Sequence, residues 1–374
     1  MRNQNVKRYE VKDIPCLWHG RLAKRDAPHL FFGGSGIEFS LYASECYLEM
    51  TANWTSSEET VRVTLDGFEV ARVILMPGVT TLPVYYGLNP EVKRTVRLYK
   101  EHQAGGGEGQ LLRVDAVLTD GRFDAPPARP FRMEVMGDSL TAAEGLGASA
   151  SEKDWRPAIF GTRDHYAFLA AEALNADCRL YALSGWGVAC DYNNNPHNVM
   201  PLYYDRVAGM FTGKSAVENG AQEAVDFEAF DADLVCINLG ANDMGAFRNK
   251  PWIDPKDGRE YKLESDENGR PTERGLSRLR EAILFCFQVV RKCNPHARIL
   301  WIYGMYSKND DLEKTVRAAI NEMGDEGIDF LTVPTMRPED RGAHGHPGPR
   351  AHRAVAEAII AYFKEHPLVQ RARA

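Results

Sequence analysis

The chain has no Cys-x-x-Cys pair, and its seven cysteines are scattered. That excludes a local thiolate zinc knuckle and a self-contained disulfide framework. It predicts reduced thiols and cytoplasmic residence, with secretion following only if a leader has been removed. Met1-Arg2-Asn3-Gln4-Asn5-Val6-Lys7 lacks the apolar core of a secretory signal. No apolar run is long enough for a bilayer-spanning helix, so a membrane partner is not expected. Positive charge is not in excess: 45 Lys and Arg stand against 52 Asp and Glu, a net charge of −7. Nucleic-acid binding normally leaves a basic footprint, so no nucleic-acid partner is expected either. Asn53-Trp54-Thr55 matches a glycosylation acceptor but reads as ordinary strand in a cytosolic chain. What remains is a globular composition, 44% apolar and 26% charged. The 374 residues give room for two domains.

Two halves differ in period. Up to about Pro130 the pattern is strands and turns. Ile37–Tyr42, Val61–Leu65 and Val96–Lys100 alternate apolar with polar, and Cys46–Trp54, Glu69–Met76 and Thr80–Tyr86 lie between them. Gly33-Gly34-Ser35-Gly36, Asp66-Gly67 and Pro77-Gly78 supply turns, and Gly105-Gly106-Gly107 reads as a flexible loop tip. Many short strands without a helix predict a β-sandwich over 1–128. Pro126-Pro127-Ala128-Arg129-Pro130 is a stiff linker, and 129–374 forms the second domain.

Beyond the linker, strands alternate with helices. Strands are expected at Phe131–Met136, Arg179–Leu183, Leu234–Leu239, Arg298–Tyr303 and Ile328–Val333. Helices are expected at Asp164–Leu174, Leu276–Lys292, Leu312–Met323 and Arg350–Phe363. This order predicts a three-layer α/β domain with a parallel sheet, whose ligands bind at the carboxyl ends of the strands. Arg248–Gly275 is a polar insertion at that edge and reads as a functional loop.

The groups able to carry chemistry all follow strands. Ser139 follows the first, Ser184-Gly185-Trp186-Gly187 the second, Gly240-Ala241-Asn242-Asp243 the third, and His346 the last. Acyl transfer needs a nucleophile, a base, oxyanion donors and a group that orients the base. A serine hydroxyl, a histidine, a glycine N–H and an asparagine amide are suited to the first three. Gly137-Asp138-Ser139 is not the Gly-x-Ser-x-Gly elbow of α/β-hydrolases.

The four blocks Gly137-Asp138-Ser139-Leu140, Gly185, Gly240-Ala241-Asn242-Asp243 and His346-Pro347 resemble those of the SGNH (GDSL-type) hydrolases. The resemblance implies a flavodoxin-like SGNH domain. It makes Ser139 the nucleophile and His346 the base, with Ser139 N–H, Gly185 N–H and Asn242 as the oxyanion hole. The leading sandwich, Ser184-Gly185-Trp186-Gly187, Met200-Pro201-Leu202-Tyr203-Tyr204-Asp205 and Gly345-His346-Pro347 are similar to carbohydrate esterase family two. That family has a jelly-roll domain before the SGNH domain and removes O-acetyl groups from xylan and mannan. The implied partner is therefore an acetylated oligosaccharide or polysaccharide, and no cofactor is implied. One position departs: many SGNH enzymes carry Asp three residues before the histidine, where this chain has Ala343. The resemblance then implies a Ser-His dyad oriented by a backbone carbonyl, with Asp340 or Glu339 the alternative acid.

Several residues carry competing readings. Asp138 and Asp243 read as structural acids bonding backbone groups. His344, His346 and His352 are irregularly spaced and lack a completing ligand set, so no metal is expected. Trp186 and Trp252 are candidate walls for sugar rings, or core packing. Two further readings stand beside the acetylesterase: an SGNH lipase or thioesterase, and a carbohydrate-binding protein with an inactive SGNH domain.

Overall fold

The computed structural model describes residues 5–103 and 109–371, so the Gly105–Gly107 tip lies outside the described residues. One unit comprises Met1–Arg129 with Trp155–Thr162 and Arg206–Val225; the other comprises Pro130–Asp154, Arg163–Asp205 and Asp226–Ala374.

Period-two patterning builds the first unit. Its strands are β1 (Lys7–Glu10), β2 (Cys16–His19), β3 (Gly36–Tyr42), β4 (Cys46–Asn53), β5 (Glu59–Leu65), β6 (Phe68–Leu75), β7 (Gly78–Tyr85), β8 (Lys93–Lys100), β9 (Leu111–Thr119) and β10 (Arg122–Asp124). They form two antiparallel sheets, ordered β1-β9-β4-β7 and β10-β3-β8-β5-β6, with β2 also on β3. β2 pairs with Gly36–Phe39 and β10 with Ser40–Tyr42, so two short strands share one edge of β3. Leu48, Met50, Val61, Val63, Val96, Leu98, Leu112 and Val114 belong to one buried cluster. β9 escaped the sequence reading for a physical reason. Its register against β4 shifts between Glu49 and Met50, with Asp115 the extra residue, and past it the alternation that marks a strand gives way to the unbroken apolar run Ala116-Val117-Leu118.

This unit also buries charge. Glu59 and Lys100 are fully buried and paired, and Gln110 Nε2 donates to Glu59 at 2.9 Å. Burial opposes the Glu59 charge, but Lys100 and His102 outweigh it and hold the carboxyl down at about 2. Glu59→Gln would leave the Lys100 ammonium uncompensated in the interior. The variant is expected to lose about 3–5 kcal/mol of stability in urea unfolding. An unchanged midpoint would show that the pair is not needed.

The second unit runs β11 (Phe131–Gly137), α1 (Tyr166–Ala173), β12 (Ala176–Ala182), then, beyond α2 (Lys214–Glu218) of the first unit, α3 (Phe227–Phe230). It continues with β13 (Leu234–Asn238), α4 (Ala241–Ala246), β14 (Trp252–Ile253), β15 (Glu260–Tyr261), α5 (Glu273–Cys293), β16 (Arg298–Tyr303), α6 (Asp310–Met323), β17 (Ile328–Thr332) and α7 (Pro349–Glu365). The main sheet is parallel and ordered β12-β11-β13-β16-β17. The crossover direction therefore reverses between β11 and β13, which is the switch point where such folds bind ligands.

Side-chain alternation along buried strands assigns helices to the two faces. Val135, Leu180, Cys236, Leu300 and Ile302 pack with Ala167 and Ala170 of α1 and Val355 and Ile359 of α7. On the opposite face Phe287 of α5 meets Trp301 at 5.6 Å, edge to face. α5 begins a turn earlier than its apolar stripe because Thr272 Oγ1 accepts from Gly275 N at 3.1 Å and caps it. The Arg248–Gly275 insertion is ordered by a hairpin, β14 against β15. Among the described residues no helix is long and apolar enough to cross a membrane.

Candidate active site

The turn after β11 presents Ser139 at the switch point. Thr141 N and Ala142 N both donate to Asp138 O, at 3.1 and 2.8 Å, and Leu140 N donates to Asp138 Oδ1 at 3.0 Å. This turn has helical geometry and holds the serine on top of the sheet. Asp138 is buried, and burial, reinforced by the nearby Asp243 and Glu144, pushes its carboxyl up to about 7. The turn ends at Gly145, φ 98°, where a Cβ would lie 2.8 Å from His346 Cβ and 2.9 Å from Pro347 O. A glycine is needed there because the histidine loop passes that closely.

The histidine loop is tied to the serine loop through its backbone. Ala343 N donates to Gly145 O at 3.1 Å, and His344 N donates to Glu152 O at 2.7 Å. His344 and Gly345 are both left-handed, φ 53° and 72°. A left-handed histidine is sparsely populated, and such strain gathers at functional sites. The His344 and His346 rings stand parallel, 3° apart in plane, with centroids 5.6 Å apart.

Ser139 and His346 meet. His346 Nε2 lies 2.9 Å from Ser139 Oγ, and His346 Nδ1 lies 3.2 Å from His344 O. With Nδ1–H donating to that carbonyl, Nε2 is free to accept the serine proton. A buried carboxylate that the sequence reading passed over completes this corner. Glu144 Oε1 is 3.4 Å from His346 Nδ1 and 2.5 Å from His344 Nδ1, and Glu144 Oε2 accepts from Ser184 Oγ at 2.6 Å. Tyr306, another residue not foreseen, has its ring 6.1 Å from that of His346.

The remaining strand ends bring donors. Gly185 has φ 82°, with nothing within 4 Å of a would-be Cβ, so the left-handed backbone is what the glycine serves. Among the described residues, neither the Ser139 N–H nor the Gly185 N–H donates a hydrogen bond. Asn242 lies in the first turn of α4. Its Nδ2 donates to Trp186 O at 2.8 Å and, more weakly, towards Asp138 Oδ2 at 3.3 Å. Asp243 is buried and accepts from Val188, Ala189 and Cys190 N–H at 2.7–3.1 Å, which folds the loop carrying Gly185 and Trp186. Burial raises its pKa, and those bonds oppose the rise.

Two expected acids do not converge on the site. Asp340 is paired with Arg337 at 2.8 Å and Arg350 at 3.0 Å, so it does not orient His346. Two nearby guanidiniums outcompete one imidazole for that carboxylate. Glu339 likewise faces Arg337, at 3.4 Å. Trp252 packs against His197 and Tyr261, centroids 5.5 and 5.7 Å away, whereas Trp186 touches the site through its carbonyl and rests on Tyr203. His352 is fully buried against His165 and Tyr166, and burial holds its imidazole neutral. The groups that do cluster are Glu144, His344 and His346, with ligand atoms within 4.8 Å of one another. At 2.5 Å the Glu144–His344 contact is a hydrogen bond, closer than the roughly 3.3 Å between two ligands of a tetrahedral zinc ion.

A reversed parallel sheet that gathers serine, glycine, asparagine and histidine at one edge defines an SGNH-type hydrolase. The chain belongs to the GDSL-like lipase/acylhydrolase family, whose model matches residues 133–359. Membership places it among the carboxylic ester hydrolases. It is similar to an acetyl xylan esterase (Est2A) from the rumen bacterium Butyrivibrio proteoclasticus, with 31% identity, a TM-score of 0.92, and coverage of 96% of this chain and 99% of that one. A family two carbohydrate esterase from Clostridium thermocellum, in complex with cellohexaose, shares the fold at 21% identity, TM-score 0.76, covering 94% and 98% of the two chains. Among curated proteins, an acetylxylan esterase / glucomannan deacetylase from Cellvibrio japonicus is 24% identical over 227 residues, 60% of each chain. The cellulase/esterase CelE of Acetivibrio thermocellus is 28% identical over 232 residues, 61% of this chain and 26% of that protein. The match thus spans less than two thirds of either curated relative.

Proposed function

We propose that this protein is a serine esterase that removes O-acetyl groups from plant-polysaccharide oligosaccharides, of xylan or mannan type. The observation that carries the reading is the Ser139 Oγ–His346 Nε2 contact of 2.9 Å at the switch point of the sheet. Likeness over nearly the whole chain to an acetyl xylan esterase supports the acetyl-sugar substrate.

The geometry supports the following course. Ser139 Oγ attacks the acetyl carbonyl carbon as its proton passes to His346 Nε2. The carbonyl π electrons move onto oxygen, and the oxyanion is met by the N–H groups of Ser139 and Gly185 and by the Asn242 amide. Collapse expels the sugar hydroxyl, which takes the proton from His346. Water then attacks the acetyl-serine carbonyl carbon as its proton passes to His346, and collapse releases acetate as Ser139 Oγ takes that proton back. No step calls for a metal or organic cofactor. Localisation to the cytoplasm belongs to the same proposal.

The test is hydrolysis of a matched ester series together with acetate release from acetylated xylan and mannan oligosaccharides. Acetyl esters are expected to exceed octanoyl esters in kcat/KM by about tenfold or more, since pocket fit changes discrimination by one to two orders of magnitude. A preference for long acyl chains or thioesters would replace the reading with a lipase or thioesterase. Glycan binding without acetate release would make the chain a carbohydrate-binding protein.

A further inference from the structure

A bare serine–histidine pair leaves one requirement unmet: something must meet the positive charge that forms on the imidazole. The position expected to supply an acid is Ala343, and Asp340 is occupied by two arginines. A carboxylate does face His346, but it comes from the serine's own loop.

Glu144 is 2% exposed. Four other buried glutamates have cationic partners: Glu38 has Arg129, Glu59 has Lys100, Glu101 has Arg72 and Glu134 has Arg179. Among the described residues Glu144 has no lysine or arginine; its partners are Ser184 Oγ and the Nδ1 atoms of His344 and His346. A buried carboxylate without a fixed cation is costly unless charge arrives beside it. Here the imidazole that gains charge in the reaction stands 3.4 Å away. The His344 ring lies parallel to that of His346, and both present Nδ1 to one oxygen, Glu144 Oε1.

We propose that Glu144 is the acid of this site. It is a positioning residue that, with His344 O, receives the His346 Nδ1–H and stabilises the imidazolium, while His344 and Ser184 hold it in place. The inference rests on the serine-esterase reading above. When Ser139 gives its proton to His346 Nε2, the Nδ1 proton stays on nitrogen, shared between His344 O at 3.2 Å and Glu144 Oε1 at 3.4 Å. The leaving alcohol then takes the Nε2 proton and the imidazole returns to neutral.

The experiment compares wild type, Glu144→Gln and Glu144→Ala in kcat and KM on p-nitrophenyl acetate, with thermal unfolding of each. The low-field Nδ1 proton of His346, assigned by its loss in His346→Gln, is followed by NMR. Glu144→Gln is expected to lower kcat about 10–100-fold with KM nearly unchanged. That is less than the roughly 10⁴-fold loss from amidating the acid of a Ser-His-Asp triad, because His344 O still fixes the tautomer. The His346 resonance should move upfield, and formate should restore part of the Glu144→Ala activity. An unmoved resonance, or kcat within about twofold of wild type in a folded Glu144→Gln, overturns the proposal. If the wild type hydrolyses no ester while the resonance still moves, the esterase reading fails and the placement of Glu144 stands.

Discussion

Ser139→Ala should abolish acetate release, lowering kcat by about four orders of magnitude or more while the fold persists. In serine hydrolases, removing the nucleophile or its base costs about as much as removing the whole set, leaving only what the oxyanion donors and binding provide. The structure gives the reason for expecting the large value. Ser139 Oγ is the hydroxyl within hydrogen-bond reach of His346 Nε2. Thr141, two residues on, has its hydroxyl on Tyr166 at 2.7 Å and is buried beneath the turn, so it cannot substitute. His346→Ala should fall nearly as far, and the double variant little further, because the two act as one unit. The check is single-turnover and steady-state kinetics on acetylated xylo-oligosaccharides, with unfolding midpoints to show that the alanine is tolerated. Retention of even a tenth of the activity in Ser139→Ala would remove the acetyl-serine course.

Asn242→Ala carries the next largest effect, a drop in kcat of about 10²–10³ with little change in KM, the cost of one oxyanion donor. Two features make this residue a demanding case. One amide proton is held by Trp186 O at 2.8 Å, which fixes the side chain. The other reaches Asp138 Oδ2 only at 3.3 Å, a long bond that a developing oxyanion can take over. Burial that pushes Asp138 up to about 7 also weakens it as a competing acceptor at neutral pH and below. Asn242→Asp should be worse than alanine, since it sets a negative charge where negative charge must form. Burst kinetics on an activated acetate ester would separate this loss of acylation rate from a loss of binding. A KM effect with kcat unchanged would instead make Asn242 a substrate contact.

Much of this site was legible in the linear chain because an α/β fold turns order into place. Leu234–Leu239 reads as a buried parallel strand, so whatever follows it stands at the carboxyl edge. The same logic placed Ser139, Gly185, Asn242 and His346 at one edge before any distance was known. Local pattern was less informative where a strand departs from its period, as β9 does at its bulge, or where a helix extends past its apolar stripe, as α5 does. Asp340 shows the limit from the other side. It lies six residues before His346, on the same loop, but Arg337 and Arg350 draw its carboxylate away. Proximity in sequence does not say which of several partners a charged side chain takes.

Glu144 marks the boundary most clearly. In the sequence it is one more acid, five residues past Ser139, with nothing in its spacing to mark it. Its setting is made by Ser184 from the next strand end and by two histidines about 200 residues on. By itself, the sequence determined the fold class and the edge at which strand-end groups gather. Those follow from hydrophobic period and chain order, which are local and additive, whereas the pairing of Ser139 with His346 was implied by the resemblance of the four blocks to SGNH hydrolases. Only the tertiary structure decided what holds the imidazole and which acid faces it. Those are contacts between groups far apart in the chain, set by packing, burial and competition for charge within a few ångströms.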